Sequence, residues 1–354
     1  MEEKTLKMAT VFLLVLMAAG CVGLMYFPQL HKWAAEKQEE RLAEQEFAES
    51  QPEMKDLEIL ETEEPGKETG INGQLRLRLP DGVSADEITI SNDYVTQTVQ
   101  IQIPGADSAY FDSYPVVGSS DHVDDLSYAK TAGEGIIKIT MDRVYELDIT
   151  QKEEDYYFNF LTPQEIYDKV VVIDAGHGGR APGNVKQGVL EKDVNLAIVL
   201  QLKKLFDEDD GNIGVYYTRT DDSNPTFEQR ANLANKADAD LFISVHNNST
   251  NSGRMSSANG TFVMYDEEDS SGRSMEFAQI CLDEVTGAIG STNRGLMEGH
   301  SIYIIRNSKV PVALIEVGFM TNQKELELLG TEEYQAETAK GIYDAVYKAF
   351  EEGY

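Results

Sequence analysis

Two histidines and one glutamate stand where a strand is expected to end or a helix to begin. His177 follows the apolar run 170–173 in the sequence DAGHGG, and His246 comes directly after a predicted strand over residues 241–245. Glu191 opens a predicted helix over residues 191–206. Two imidazoles and one carboxylate are a ligand set of catalytic zinc sites, which keep the fourth tetrahedral position open. The three residues therefore predict a zinc site.

A fourth ionisable residue, Glu316, stands in the apolar sequence LIEVGF, where a carboxylate is costly unless it has a partner. Near a zinc-bound water, Glu316 could take the water proton as a general base. Each residue also has an ordinary interpretation: Glu191 as a charge favoured at a helix N-terminus, and His246 as a core histidine. All four in one domain favour a metal hydrolase.

The elements that must position these residues alternate between strands and helices after residue 167. Strands are predicted at 170–173, 213–218, 241–245, 261–265, 301–305 and 312–317, and helices at 191–206, 227–236, 272–289 and 332–351. Such alternation indicates an α/β domain with a mixed sheet between helices, assigned to residues 168–354. In such folds, reactive groups collect at the carboxyl ends of strands.

A β-rich module is predicted over residues 71–161. Apolar residues alternate with polar ones around residues 75–79, 99–103, 137–141 and 156–160, with Pro and Gly turns between them. This pattern is typical of a small antiparallel sandwich. His122 lies among aspartates, where a solvated turn is favoured over a metal site. We expect the module to bind or position rather than to catalyse.

The N-terminal segments predict an anchor. After a short tail (residues 1–7), residues 8–27 carry no charge, which suits a transmembrane helix. Cys21 in the sequence AAGC leaves lipidation as the alternative. Lysines and arginines are nearly balanced on the two sides of this run, so charge does not set its orientation. The chain has only one other cysteine, Cys281, which excludes a framework of intrachain disulfides.

The chain is strongly acidic, with 62 Asp and Glu against 30 Lys and Arg and a net charge of -32 over 354 residues. Phosphate binding needs clustered cations, so nucleic acid is a poor partner. Glutamates are concentrated in residues 36–68, within a linker assigned to residues 28–70. We expect a fraying helix that passes into a disordered, solvated spacer.

Residues 171–350 resemble the zinc-dependent N-acetylmuramoyl-L-alanine amidases of the amidase_3 family. The resemblance is carried, in order, by VVIDAGHGG, GVLEKDVNLA, VYYTRTDD, EQRANLANKADAD, LFISVHNNS, NRGL and PVALIEVGFMTN. It implies a peptidoglycan hydrolase that cuts the amide between N-acetylmuramic acid and the L-alanine of the stem peptide, in cell wall remodelling or autolysis. Its zinc ligands would be His177, Glu191 and His246.

The resemblance makes Glu316 the catalytic residue, which removes a proton from the zinc-bound water and returns it to the leaving nitrogen. Arg230 is expected to anchor its helix, with substrate contact as the alternative. Asn195 could orient the ligands or contact solvent or peptide. His31 and His300 are interpreted as structural.

Some members of this family cover the zinc with a long helical insertion after the third ligand segment. Here the loops 250–259 and 266–271 are short. We therefore expect an open catalytic groove that no segment of the chain fills.

Two other functions fit parts of the pattern. A zinc carboxypeptidase typically has His-x-x-Glu, but Arg180 stands three residues after His177. A wall-binding scaffold with a dead amidase fold would have lost ligands, whereas all four positions are filled. Because peptidoglycan lies outside the plasma membrane, we expect a single-pass membrane protein with an extracytoplasmic catalytic domain. The sequence identifies no activator protein.

Overall fold

The structure, a computed structural model, describes residues 37–49 and 53–354, apart from residues 64, 68, 69, 72, 132 and 133. The predicted membrane span 8–27 and Cys21 lie outside the described residues. None of the helices within the described ranges has both the length and the apolar character needed to cross a membrane.

The acidic linker is more ordered than its composition indicated. Residues 37–49 form a helix, α1, in which Ala43 is buried. Residues 55–61 supply strands β1 (Lys55–Asp56) and β2 (Ile59–Glu61) to the β module. The predicted helix is thus present at residues 37–49, although it packs on the protein and is not simply solvated. The prediction of a disordered spacer is wrong for residues 55–61, and the module begins before residue 71. The many charged residues of this segment made its few apolar residues, such as the buried Ala43, a weak signal in the sequence.

The β module is a sandwich of two five-stranded sheets, as predicted, with the orders β1-β7-β8-β5-β4 and β2-β6-β3-β10-β9. Neighbouring strands are antiparallel except for β2 and β6. The further elements are β3 (Leu75–Arg78), β4 (Thr89–Asp93), β5 (Thr98–Pro104), α2 (Ser108–Ser113), β6 (Val116–Gly118), β7 (Val123–Thr131), β8 (Glu134–Met141), β9 (Glu146–Lys152) and β10 (Asp155–Leu161). Alternate residues of β8 are buried, which is the pattern of a strand with one face on a core.

The catalytic domain has a six-stranded mixed sheet in the order β14-β11-β15-β18-β16-β17, which confirms the predicted α/β class. Its strands are β11 (Lys169–Ala175), β14 (Ile213–Tyr217), β15 (Leu241–Asn248), β16 (Thr261–Tyr265), β17 (Asn293–Glu298) and β18 (Val312–Phe319), and β12 (Val185–Lys186) and β13 (Val189–Leu190) form a separate hairpin. Strand β16 runs antiparallel to β18.

Helices cover both faces of this sheet. They are α3 (Pro163–Ile166), α4 (Glu191–Asp207), α5 (Phe227–Lys236), α6 (Arg273–Ile289), α7 (Tyr303–Arg306), α8 (Gln323–Leu329) and α9 (Glu332–Glu351). One core joins α4, α6 and α9 to one sheet face, and a second core joins α5 and α7 to the other. The carboxyl ends of β11, β15 and β18, which run parallel, therefore meet at one edge between the layers.

One predicted strand is wrong. Residues 301–305 contain the short helix α7 instead, and the strand of this region is β17, which was not predicted. Ile304 and Ile305 are consecutive and both buried, so the segment does not alternate as a half-buried strand would. Periodicity alone cannot separate helix from strand in so short an apolar run.

Candidate active site

The three predicted metal ligands lie together at the carboxyl edge of the sheet. His177 Nε2 and His246 Nδ1 each lie 3.1 Å from Glu191 Oε1. The two imidazole rings meet edge to face, with their centroids 4.8 Å apart. One donor atom from each residue lies within 4.8 Å of the other two, so the three side chains could hold a metal ion.

A tetrahedral zinc ion with ligand bonds of about 2.0–2.2 Å needs donor atoms about 3.4 Å apart. The two nitrogen–oxygen distances of 3.1 Å are close to this value. Two of the three donor–donor distances thus suit a zinc site, as does the donor set of two imidazoles and one carboxylate.

Two buried arginines fix the loop that carries His177. Arg230 donates to the carbonyl oxygens of Ala175 and His177, at 2.9 and 2.8 Å. Arg219 donates to those of Ala175 and Gly176, at 2.8 and 3.0 Å. His177 has φ = 62°, a left-handed conformation that non-glycine residues adopt rarely and at a cost. The arginine contacts hold the loop in this conformation.

Asp174 compensates the charge of Arg230 from the end of β11. Its Oδ1 accepts from Arg230 Nη1 at 2.5 Å and from the Thr218 hydroxyl at 2.6 Å, and its Oδ2 accepts from the Ser244 hydroxyl at 2.5 Å. Burial alone would raise the pKa of Asp174, but the Arg230 charge and the two hydroxyl hydrogen bonds lower it to about 2. Asp174 therefore stays ionised below the pH at which an ordinary aspartate takes up its proton.

Glu191 is delivered by the β12–β13 hairpin, whose two-residue turn has positive φ at both Gln187 and Gly188. Its carboxylate is held on both oxygens. Asn184 donates to Oε2 from its backbone at 2.8 Å and from its side chain at 2.7 Å. The backbone of Asn247 donates to Oε1 at 3.1 Å.

Two glycines allow the ligands to approach so closely. A Cβ on Gly176 would lie 2.2 Å from the ring of His246. A Cβ on Gly183, whose φ is +65°, would lie 2.6 Å from His177 Cδ2 and 2.7 Å from Glu191 Oε2. A side chain at either position would displace a ligand.

Asn195 orients the site, which was one of its two predicted roles. It is buried, donates to the Gly176 carbonyl at 3.0 Å and accepts from the Asn247 side chain at 2.8 Å. Arg230 anchors the metal loop as well as its own helix, where its Nε donates to the Pro225 carbonyl at 3.0 Å. Sequence reasoning missed the roles of Arg219 and Asn184, although Arg219 stands in the quoted segment VYYTRTDD.

Glu316 lines the same cavity as the three candidate metal ligands. It is paired in register with His246 on the neighbouring parallel strand. Residues that are paired in this way project to the same face of a sheet. Both side chains line a cavity of about 500 Å³, together with His177 and Glu191. A glutamate next to a candidate metal site can accept or donate a proton there.

His300, interpreted as structural, lies outside this cluster. Its Nδ1 is 2.8 Å from Asp266, and its Nε2 is 3.3 Å from Glu268. His122 contacts Asp142 at 3.4 Å in the β module. His31 falls outside the described residues.

The prediction of an open groove is wrong. Helix α1 lies in the groove, where Gln38, Glu39 and Leu42 line the same cavity as the metal ligands and Glu316. Glu39 Oε1 lies 2.8 Å from His177 Nδ1. The loops after the third ligand are short, as the sequence shows, but a segment far away in the sequence covers the site instead.

Carboxylates flank the His177 imidazole in this arrangement. Burial alone would lower the pKa of His177, but the carboxylates of Glu191 and Glu39 raise it to about 10. The pKa of Glu191 is well below its usual value, because the two histidines outweigh the effect of burial. A cluster with these preferences attracts a cation, and a metal ion would compete with protons for the imidazole nitrogens.

An α/β domain that gathers two histidines, a ligating glutamate and a further glutamate in one groove defines a metal-dependent hydrolase. The family Amidase_3, described as N-acetylmuramoyl-L-alanine amidase, matches residues 171–348, and the chain belongs to this family. It is an N-acetylmuramoyl-L-alanine amidase.

Individual relatives agree with this assignment. The chain is 33% identical over 199 residues to the germination-specific N-acetylmuramoyl-L-alanine amidase of Bacillus subtilis, covering 52% of this chain and 81% of that protein. It is 35% identical over 183 residues to the uncharacterized protein YqiI of the same organism, covering 52% and 85%. A crystal structure of an N-acetylmuramoyl-L-alanine amidase from Clostridium difficile 630 has 31% identity and a TM-score of 0.50, with 52% of this chain and 98% of that one covered.

The lowered pKa of Asp174 predicts a defined acid sensitivity. Ionised Asp174 stabilises the fold above the ordinary pKa of 3.8, and this contribution is lost as the pH falls towards about 2. The pKa difference corresponds to about 2 kcal/mol. We expect Asp174→Asn to lower the free energy of unfolding at pH 6, and to flatten its decline between pH 4 and pH 2. Urea unfolding across this range measures both effects.

The control is Asp238→Asn, at an exposed position. It should follow the wild-type curve. If Asp174→Asn declines as steeply as the wild type between pH 4 and pH 2, the pKa assignment is contradicted.

Proposed function

We propose that this amidase depends on zinc held by His177, Glu191 and His246, and that it cleaves the amide between N-acetylmuramic acid and L-alanine with Glu316 as the proton-transfer residue. The observation that carries the proposal is the position of Glu316, in register with His246 and lining one cavity with the ligands. Family membership supports the substrate, and the donor set supports the metal.

Zinc in a site of this kind supplies a Lewis acid and lowers the pKa of a bound water. The chain's own residues do the rest. Asn184 and Asn247 hold the Glu191 carboxylate, and Arg230 and Arg219 fix the loop of His177. Glu316 takes the proton of the attacking water and returns it to the nitrogen of the departing L-alanine, so one carboxylate serves as base and then as acid.

Replacing the proton-transfer group tests the role of Glu316. We expect Glu316→Gln to lower the rate of stem-peptide release from purified peptidoglycan by about 10²–10⁴-fold, because the amide keeps the shape but cannot accept the proton. Zinc content should stay at the wild-type level. Liquid chromatography with mass spectrometry measures the released peptides.

Glu327→Gln, on the exposed side of α8, is the matched control and should leave the rate unchanged. A Glu316→Gln variant that releases stem peptides at the wild-type rate would refute this role.

Removing a ligand tests the zinc site separately from the chemistry. We expect His177→Ala and His246→Ala each to weaken zinc binding by at least about 100-fold, since losing a ligand should cost more than losing a residue that orients one. Competition with a chelator, followed by elemental analysis, measures the affinity. His300→Ala should bind zinc like the wild type. Equal zinc affinity in all four proteins would show that the metal binds elsewhere.

The position of the enzyme in the cell is also a proposal. We propose a single-pass membrane protein that is anchored by residues 8–27, with the β module localising the catalytic domain at the wall for remodelling or autolysis. The uncharged run and the extracellular position of peptidoglycan support this.

A surface-labelling experiment tests the orientation. A membrane-impermeant amine reagent should modify lysines of the catalytic domain in intact cells stripped of outer wall material. The lysines of a cytoplasmic marker protein should react only after lysis. Labelling of the catalytic domain confined to broken cells would overturn the proposed topology.

A further inference from the structure

Helix α1 presents one face to the catalytic groove. Leu42 and Ala43 stand three and four residues after Glu39, and Glu46 stands three residues after Ala43 and four after Leu42, which places all four on the same side of a helix. Ala43 is only 2% exposed, and Leu42 lines the cavity. Residues 44 and 48 are exposed on the other side. The helix is therefore seated on the catalytic domain by a defined face.

Acidic side chains fasten this helix around the site. Glu40 accepts from the backbone N–H of Phe227 at 2.7 Å, at the positive end of α5. Glu46 accepts from the backbone N–H of Arg180 at 2.8 Å, and Glu49 accepts from the Arg180 guanidinium at 2.7 Å. Arg180 belongs to the loop that follows His177. The contacts thus span the groove from α5 to the metal loop.

Glu39 is the residue of α1 that contacts a candidate metal ligand. Its carboxylate lies 2.8 Å from His177 Nδ1, and its side chain is only 19% exposed. An amide substrate must place its carbonyl beside the same ligands and Glu316, in the cavity that α1 now lines.

We propose that residues 37–49 are a built-in inhibitor of the amidase, which lies in the groove with Glu39 against His177 and must leave before peptidoglycan can enter. The inference rests on the proposed function and adds its regulation. It assigns a role to the acidic segment that differs from an insertion after the third ligand, since this helix precedes the whole catalytic domain in the sequence.

The contacts between α1 and the catalytic domain are weak enough for the helix to be released. The Glu49–Arg180 pair is half exposed on both sides, and such exposed pairs contribute little and are screened by salt. The helix is part of the same chain as the groove, which gives it a high effective concentration there without strong individual contacts. The helix also precedes all the strands of the catalytic sheet in the sequence, so it can leave the groove without removing a strand from that sheet.

Two pairs of variants in the full chain separate groove occupancy from general effects on the helix. Ala43→Arg puts a large charged side chain on the buried face of α1, and Ala48→Arg makes the same change on its exposed face. Glu39→Ala removes the carboxylate at His177, and Glu44→Ala is its exposed counterpart. All four positions lie in one helix, so helix propensity changes equally within each pair.

Two measurements are made on each zinc-loaded protein. One is the rate of stem-peptide release from purified peptidoglycan. The other is hydrogen–deuterium exchange of the amides of residues 41–49, 178–183 and 227, which does not depend on activity. We expect Glu39→Ala to raise the rate at least about tenfold, the effect of losing one charge-assisted hydrogen bond in the closed state. Ala43→Arg should raise the rate at least as much, because the closed state would bury the new guanidinium. The same two variants should lose protection at these amides.

The controls Ala48→Arg and Glu44→Ala should match the wild type in both measurements. Faster exchange in Ala43→Arg, with stem-peptide release that is measurable but no faster than in the wild type, would overturn the inhibitory role, and so would wild-type exchange and rate in both groove-face variants. If no protein releases stem peptides although exchange shows that Ala43→Arg has opened the groove, the proposed function fails instead.

Discussion

The buried ion pair between Arg230 and Asp174 is the interaction on which the site depends. Asp174 joins the ends of β11, β14 and β15 through Arg230, Thr218 and Ser244, so one carboxylate ties α5 to three neighbouring strands. Removing one partner of such a pair leaves a buried charge uncompensated, which typically costs about 3–5 kcal/mol. The same guanidinium holds the His177 carbonyl and thereby the left-handed loop that aims the imidazole. Fold stability and ligand geometry are thus coupled through one side chain.

Acidic side chains determine where α1 binds. The net charge of -32 is partly concentrated in the segment that contains α1. There it is matched locally, by the N-terminus of α5, by Arg180 and by the histidine of the metal loop. Acidic composition makes nucleic acid a poor partner, but it does not mean that the acidic segment is merely solvated. In this structure the acidic helix α1 binds the catalytic domain of its own chain.

Much of the catalytic domain could be predicted from the sequence because its signals are local. His177, Glu191, His246 and Glu316 stand at strand and helix ends, and parallel strands bring such ends to one edge. The position of α1 could not be predicted in this way, since Glu39 and His177 are 138 residues apart and glutamates dominate the intervening pattern. The spacing of Leu42 and Ala43 with Glu39 and Glu46 was the available signal. The carbonyl contacts of Arg219 are likewise invisible, because backbone acceptors leave no mark in a sequence.

In the proposed reaction, water attacks the carbonyl of the amide that joins the lactyl group of N-acetylmuramic acid to L-alanine. We call this bond the lactyl amide. Digestion of purified peptidoglycan in H₂¹⁸O tests the proposed reaction most directly, because hydrolysis adds the oxygen of water to the acyl side of the broken bond. We predict that mass spectrometry will find ¹⁸O in the new carboxylate of the N-acetylmuramic acid residues, and unlabelled stem peptides with a free L-alanine amino group. If ¹⁸O appears in a carboxylate of the peptide and the lactyl amide is intact, the proposed cleavage is contradicted.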